Sequence, residues 1–216
     1  MKTHGRLLFA MLLLASGLSC NNSKEEKKDI SDSKKMETID SIEKTNKEIA
    51  IDPYSPVDIS PMDMSYYPPD YPKLKMTKTV TTPPVARVIY SRPHLQGRQL
   101  FHALLKYGEP WRLGANESTE LDLFSDVTIQ DKKIKAGRYI LYCIPQPTTW
   151  TIILNSNLDS WGLHPDSTKD IARFDVPVKE TDRHLEYLNI IFEKIDNGAA
   201  LIMAWDNVEA RLPINF

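Results

Sequence analysis

SDVTIQDKKIKAGRYILYCIPQPTTWTIILN, residues 125–155, decides the fold. Val127 and Ile129 alternate with polar neighbours, the period-two signature of a strand with one buried face. Gln130 to Lys133 read as a polar turn. Ala136-Gly137 then opens a long apolar strand through YILYCIP (139–145), and Gln146-Pro147 turns the chain into WTIILN (150–155). Two apolar runs joined by so short a turn predict an antiparallel pair.

The same pattern extends in both directions. VARVIYS (85–91) reads as a strand, and TELDLF (119–124) alternates, with Leu121 and Leu123 inward and Glu120 and Asp122 outward. FDVPVK (174–179), LEYLNIIFE (185–193), ALIMAW (200–205) and VEARLPI (208–214) follow; in the last, Val208, Ala210, Leu212 and Ile214 share one face. One short helix is expected in RQLFHALLKYG (98–108), with Leu100, Phe101, Leu104 and Leu105 at helical spacing and Gly108 as its stop. Short strands separated by turn residues predict a mostly β chain, a single antiparallel β-sandwich of jelly-roll or immunoglobulin-like type over residues 85–216.

The N-terminal part has a different character. Lys2 and Arg6 precede an apolar run from Leu7 to Ala15, and small residues lead to Cys20. The run is shorter than the roughly 20 residues a membrane helix needs and fits a cleaved secretory signal over residues 1–19. A cysteine at the cut site marks a bacterial lipoprotein, although Gly17 stands where leucine is usual. Lipid on Cys20 would then attach the chain to a membrane.

Residues 21–50 hold seven lysines, eight acids and no aromatic residue. Such a composition cannot bury enough surface to offset its ordering entropy, so residues 20–52 are expected to be a disordered tether. Within it, Lys24-Glu25-Glu26 resembles the lysine-plus-acids signal of surface-exported lipoproteins. Residues 53–84 turn to proline, tyrosine and methionine and predict an extended arm laid over the domain. The expected location is the outer membrane, on the periplasmic face or the cell surface.

Charge and cysteine content narrow the functional classes. The chain carries a net charge of −2, and loss of Lys2 and Arg6 with the signal takes the mature form to −4. There is no basic stripe for nucleic acid. Only Cys143 remains beside an acylated Cys20, so no intramolecular disulfide is expected; in its apolar strand it reads as a small hydrophobe. His94, His102, His164 and His184 are scattered, without the spacing of a zinc site, and no G-x-S-x-G frame is present. Met62 and Met64 can offer thioethers to Cu(I), but no histidine or cysteine accompanies them. No metal and no cofactor is expected.

The chemistry worth weighing gathers around WRLGANEST (111–119). Arg92, Arg98 and Arg112 can present guanidinium forks to a carboxylate, phosphate or sugar hydroxyl. Trp111 and Trp161 can supply stacking faces, and Glu117 can act as an acid or base. The same residues also suit scaffolding. Asn116 and Glu117 can satisfy loop amides, and Glu117 paired with Arg112 or Arg92 would fix the loop's shape. Breaking such a buried pair from one side costs about 3–5 kcal/mol.

Residues 90–124, YSRPHLQGRQLFHALLKYGEPWRLGANESTELDLF, resemble the signature of the domain-of-unknown-function 2911 family. The likeness runs through Tyr90-Ser91-Arg92-Pro93, Gly97-Arg98, Tyr107-Gly108, Trp111-Arg112 and Gly114-Ala115-Asn116-Glu117. It continues through Ala136-Gly137-Arg138-Tyr139, Trp161-Gly162, ALIMAWD and Leu212-Pro213-Ile214, covering roughly residues 80–216. The resemblance implies an exported or lipid-anchored protein of Bacteroidota-like bacteria and assigns no activity. Two functional readings stand together. One is a lipid-anchored, non-catalytic module that binds an envelope protein or a glycan. The alternative is a small-molecule or glycan hydrolase using Glu117 with Arg112, assisted by His94 or His102.

Overall fold

The computed structural model describes residues 58–216; the signal, Cys20, the charged tether and the start of the arm lie outside the described residues. Nine strands form one hydrogen-bonded sheet: β1 (Met62–Tyr67), β2 (Ala86–Ser91), β3 (Thr119–Leu123), β4 (Val127–Ile129), β5 (Lys132–Ile134), β6 (Gly137–Pro145), β7 (Thr149–Asn155), β8 (Asp170–Ile195) and β9 (Gly198–Asn215). Their spatial order is β1-β2-β3-β6-β7-β8-β9-β4-β5, and every pairing is antiparallel. The fold is mostly β, as the alternation implied.

The 125–155 stretch behaves as read. β6 and β7 pair with Leu141 opposite Leu154, Cys143 opposite Ile152 and Pro145 opposite Trp150. Their inward residues join a core whose largest fully buried side chains include Trp150, Trp205 and Phe174. The separate runs 174–179 and 185–193 fuse into the long β8, and 200–205 and 208–214 into β9. The β8–β9 register shifts between Glu180 and Leu185 and again between Leu185 and Asn189, where the paired strands bend.

That bend closes the fold. The first half of β8 pairs with β7, while its second half pairs with β9 and turns its other edge toward β1 and β2. That edge is satisfied by hydroxyl groups and by the loop after β2 rather than by another strand. Ile190 N–H donates to the Tyr90 hydroxyl at 2.9 Å, and Phe192 N–H donates to Ser65 Oγ at 3.4 Å. Leu188 N–H donates to Pro93 O, and Leu95 N–H to Glu186 O, each at 3.0 Å. An unpaired buried amide is costly, so this edge has to be capped by whatever packs on it.

Three expectations require correction. Residues 100–104 are not a helix but a wide turn, closed by Leu105 N–H donating to Leu100 O at 2.8 Å and His102 N–H to Leu105 O at 2.9 Å. Phe101 is extended there and His102 has a φ of 76°. Helix nucleation is expensive for so short a segment, and the turn already buries Leu100 and Leu105. A helix instead occurs in the arm, α1 (Tyr71–Met76), with a proline in its first turn and Tyr71 buried. Proline suits that position because its missing N–H would have no partner there.

The third concerns a strand face. Asp122 points outward from β3 yet is buried, because Arg87 and Arg138 from the neighbouring strands converge on its carboxylate. Met62 and Met64 lie on the exposed side of β1.

Candidate functional site

WRLGANEST builds one wall of a cleft. Trp111 is bridged to β6 by reciprocal backbone bonds with Cys143, N–H to O at 2.7 and 2.8 Å. Its indole N–H donates to Gly114 O at 3.2 Å. Its ring stacks on Trp205 at 5.8 Å between centroids and meets Trp150 edge-on at 5.9 Å. Leu113 is fully buried, and its carbonyl accepts from Thr119 Oγ1 at 2.8 Å. Gly114 lies so close to β2 that a Cβ there would sit 3.1 Å from Ser91 O and 3.0 Å from Thr119 Oγ1.

The opposite wall is the loop between β7 and β8. Its base is tied by the buried Asn155, whose Nδ2 donates to Asp166 O and Asp170 Oδ1, each at 2.8 Å. The Tyr142 hydroxyl and the Arg173 guanidinium also donate to Asp170. Burial, then the Asp170 carboxylate, push the Tyr142 hydroxyl up to about 12. At the loop's tip Ser118 Oγ donates to Ser160 O at 2.7 Å, and Arg112 Nη1 donates to Trp161 O at 3.3 Å. Gly162 has a φ of +82°, and a Cβ there would run into Ser118 Oγ. Only glycine fits this approach without strain.

Between the walls lies a cleft of about 270 Å³, lined by Pro93, Leu104, Leu105, Pro110, Trp111, Arg112, Gly114, Ala115, Gly162, Leu163 and Trp205. Arg112 is its only charged lining residue. Burial lowers the Arg112 pKa and nearby Glu117 partly opposes that shift, but no carboxylate among the described residues lies within ion-pair distance of Arg112. Its guanidinium lies 5.9 Å from the Trp161 ring centroid. Trp161 and Leu163 stand 56% and 58% exposed at the rim.

The expected site residues therefore separate. Trp111 and Arg112 line the cleft and Trp161 lies beside it. Arg92 instead ties β2 to β8: its Nε donates to Leu188 O at 3.0 Å and its Nη2 to Asn189 Oδ1 at 2.8 Å. Arg98 caps its own loop by donating to Leu95 O and His94 O. Asn116 has a φ of 57° and donates to Asp58 Oδ2 at 2.7 Å.

Glu117 is exposed and forms no ion pair among the described residues, which overturns its expected pairing with Arg112 or Arg92. The positive φ at Asn116 turns the chain so that Glu117 faces solvent while Ser118 and Thr119 turn inward. His94 stacks on Tyr187, and His102 is exposed with its ring edge-on to Tyr107. Neither lines the cleft. Among the described residues no group of three or more His, Cys, Asp or Glu side chains could hold a metal ion.

Sequence reasoning missed Trp205, Leu104, Leu105 and Ser118. Trp205 read as one more core residue of an apolar strand. Nothing in its spacing announces that its ring also meets Trp111 at a cleft.

Fold and cleft together define an antiparallel β domain with one small, mostly apolar recess built by its signature loop. The chain belongs to the family described as Protein of unknown function (DUF2911), whose model matches residues 72–214. No curated protein and no solved structure matches it.

Proposed function

We propose that this protein is a lipid-anchored, non-catalytic binding module of the cell envelope that holds a small ligand in the Trp111–Trp205 cleft. The observation that carries the reading is the cleft's lining. It combines the Trp111 indole, backed by the buried Trp205, with leucines, prolines and a single guanidinium, and it offers no carboxylate, imidazole, thiol or hydroxyl side chain. General acid–base or nucleophilic chemistry needs such a group within hydrogen-bond reach of the substrate. A concave, mostly apolar pocket with few polar groups is the usual form of a small-molecule site. Anchoring rests on Cys20 after the apolar run, and display at the cell surface on Lys24-Glu25-Glu26.

A fragment library screened by thermal shift against the wild type and Ala115→Trp tests the binding reading, since the added indole fills the cleft. Fragments that stabilise only the wild type support it, whereas hits that shift both proteins equally overturn it. For the anchor, Cys20→Ser should move the protein from the membrane fraction to the soluble one. Unchanged membrane attachment overturns that part.

A further inference from the structure

We infer that the cleft takes a small organic anion, a single ring carrying an exocyclic carboxylate, with the ring on the Trp111 indole and the carboxylate on Arg112; this rests on the binding reading above. The indole N–H groups of Trp111 and Trp205 already donate to Gly114 O and Glu186 O, at 3.2 and 3.0 Å. Trp111 therefore offers a ring face and no polar contact to a ligand, with Trp205, 1% exposed, packed behind it. Faces of this kind hold the flat side of an aromatic ring or the C–H side of a sugar.

Polar recognition then falls to Arg112. A guanidinium carries five N–H donors in a planar fork. Among the described contacts Arg112 uses one nitrogen, on Trp161 O, and no acid neutralises it at ion-pair distance. A partly desolvated cation lacking a counter-ion favours an anionic occupant, and a fork favours a planar carboxylate. The burial-driven fall in its pKa points the same way, because a bound carboxylate would reverse it. Size sets the remaining limit. At about 270 Å³ the recess lies just below the range for drug-sized ligands and suits one ring with a short arm.

Two sources share this chemistry, aromatic acids and uronic sugars. The test is calorimetric titration of the full chain with phenylacetate against phenylacetamide, and with glucuronate against glucose. At least one acid should bind roughly 10- to 100-fold more tightly than its neutral counterpart, the range for a charge-assisted hydrogen bond. The pair that shows the preference identifies the source. Arg112→Gln should erase the preference, and Ala115→Trp should abolish binding of the acid altogether.

The acid–neutral contrast in the wild type needs no variant, so a poorly folding Arg112→Gln leaves the test intact. Equal binding of acids and neutrals, blocked by Ala115→Trp, would overturn the anion and leave the cleft as the site. Binding of none of the four would also overturn the anion, while the fragment screen decides the cleft separately. Binding unaffected by Ala115→Trp would remove both.

Discussion

Tyr90→Phe probes the closure of the fold more directly than any other single change. It keeps the ring, which is 2% exposed in the core, and removes only the hydroxyl oxygen that accepts from Ile190 N–H at 2.9 Å. Ile190 is fully buried, so its amide cannot turn to water instead. Stranding a buried donor costs about 1–3 kcal/mol, more than the net worth of a typical hydrogen bond. For a domain of this size each kcal/mol lowers Tm by roughly 2–4 °C, so a loss of about 2 kcal/mol appears as a fall of roughly 4–8 °C. Urea melts followed by tryptophan fluorescence should show a lower midpoint with an unchanged slope. Ser65→Ala should cost less, because its bond to Phe192 N–H is longer at 3.4 Å. Hydrogen exchange at the Ile190 amide should quicken in Tyr90→Phe. A Tyr90→Phe melt within about 0.5 kcal/mol of wild type would refute the claim that side-chain hydroxyls seal this edge.

Three further changes follow from the same geometry. Gly162→Ala should destabilise the protein by about 1–3 kcal/mol, the cost of a strained backbone position, and should also remove ligand-induced thermal shifts; an unaltered melt and unaltered shifts would contradict the close packing of the two walls. Glu117→Gln should leave the urea midpoint within about 0.5 kcal/mol of wild type, as expected of an exposed side chain, and a loss of several kcal/mol would restore the buried ion pair. Stability should fall as pH rises from about 10 toward 12. Burial raises the Tyr90 hydroxyl to about 12 in the folded chain, whereas an unfolded tyrosine ionises near 10, so the unfolded state loses its proton first in that window. Tyr142, also raised to about 12, contributes in the same window, so Tyr90→Phe should reduce the slope without abolishing it, and an identical slope in both proteins would count against it.

The sequence made most of the strands legible because each buries one face, and burial on one face leaves alternation. β5 was hidden in a supposed turn, since only Ile134 of its three residues is buried. The 100–104 turn mimicked a helix because a turn that buries Leu100 and Leu105 has nearly the spacing of one. The converse error came from reading proline as a breaker throughout residues 53–84, when a proline in the first turn of α1 starts a helix.

At the site, residue types were legible but directions were not. Trp111 and Arg112 reach the cleft, while Glu117, five residues beyond Arg112, faces solvent. Positive φ at Leu113 and again at Asn116 separates the inward and outward residues, and hydrophobic patterning does not record it. Trp205 reaches the cleft from nearly a hundred residues away, through the β8–β9 bend. Contacts of that separation depend on how the whole sheet folds rather than on local spacing.

The most direct test of the cleft as the binding site uses the four indole N–H resonances of the isotopically labelled protein. The best fragment from the thermal-shift screen would be titrated while all four are followed. Trp111 should move and saturate, Trp161 should respond at the rim with the same affinity, and the enclosed Trp205 and Trp150 should move less. Saturating shifts that leave Trp111 unmoved would contradict the account.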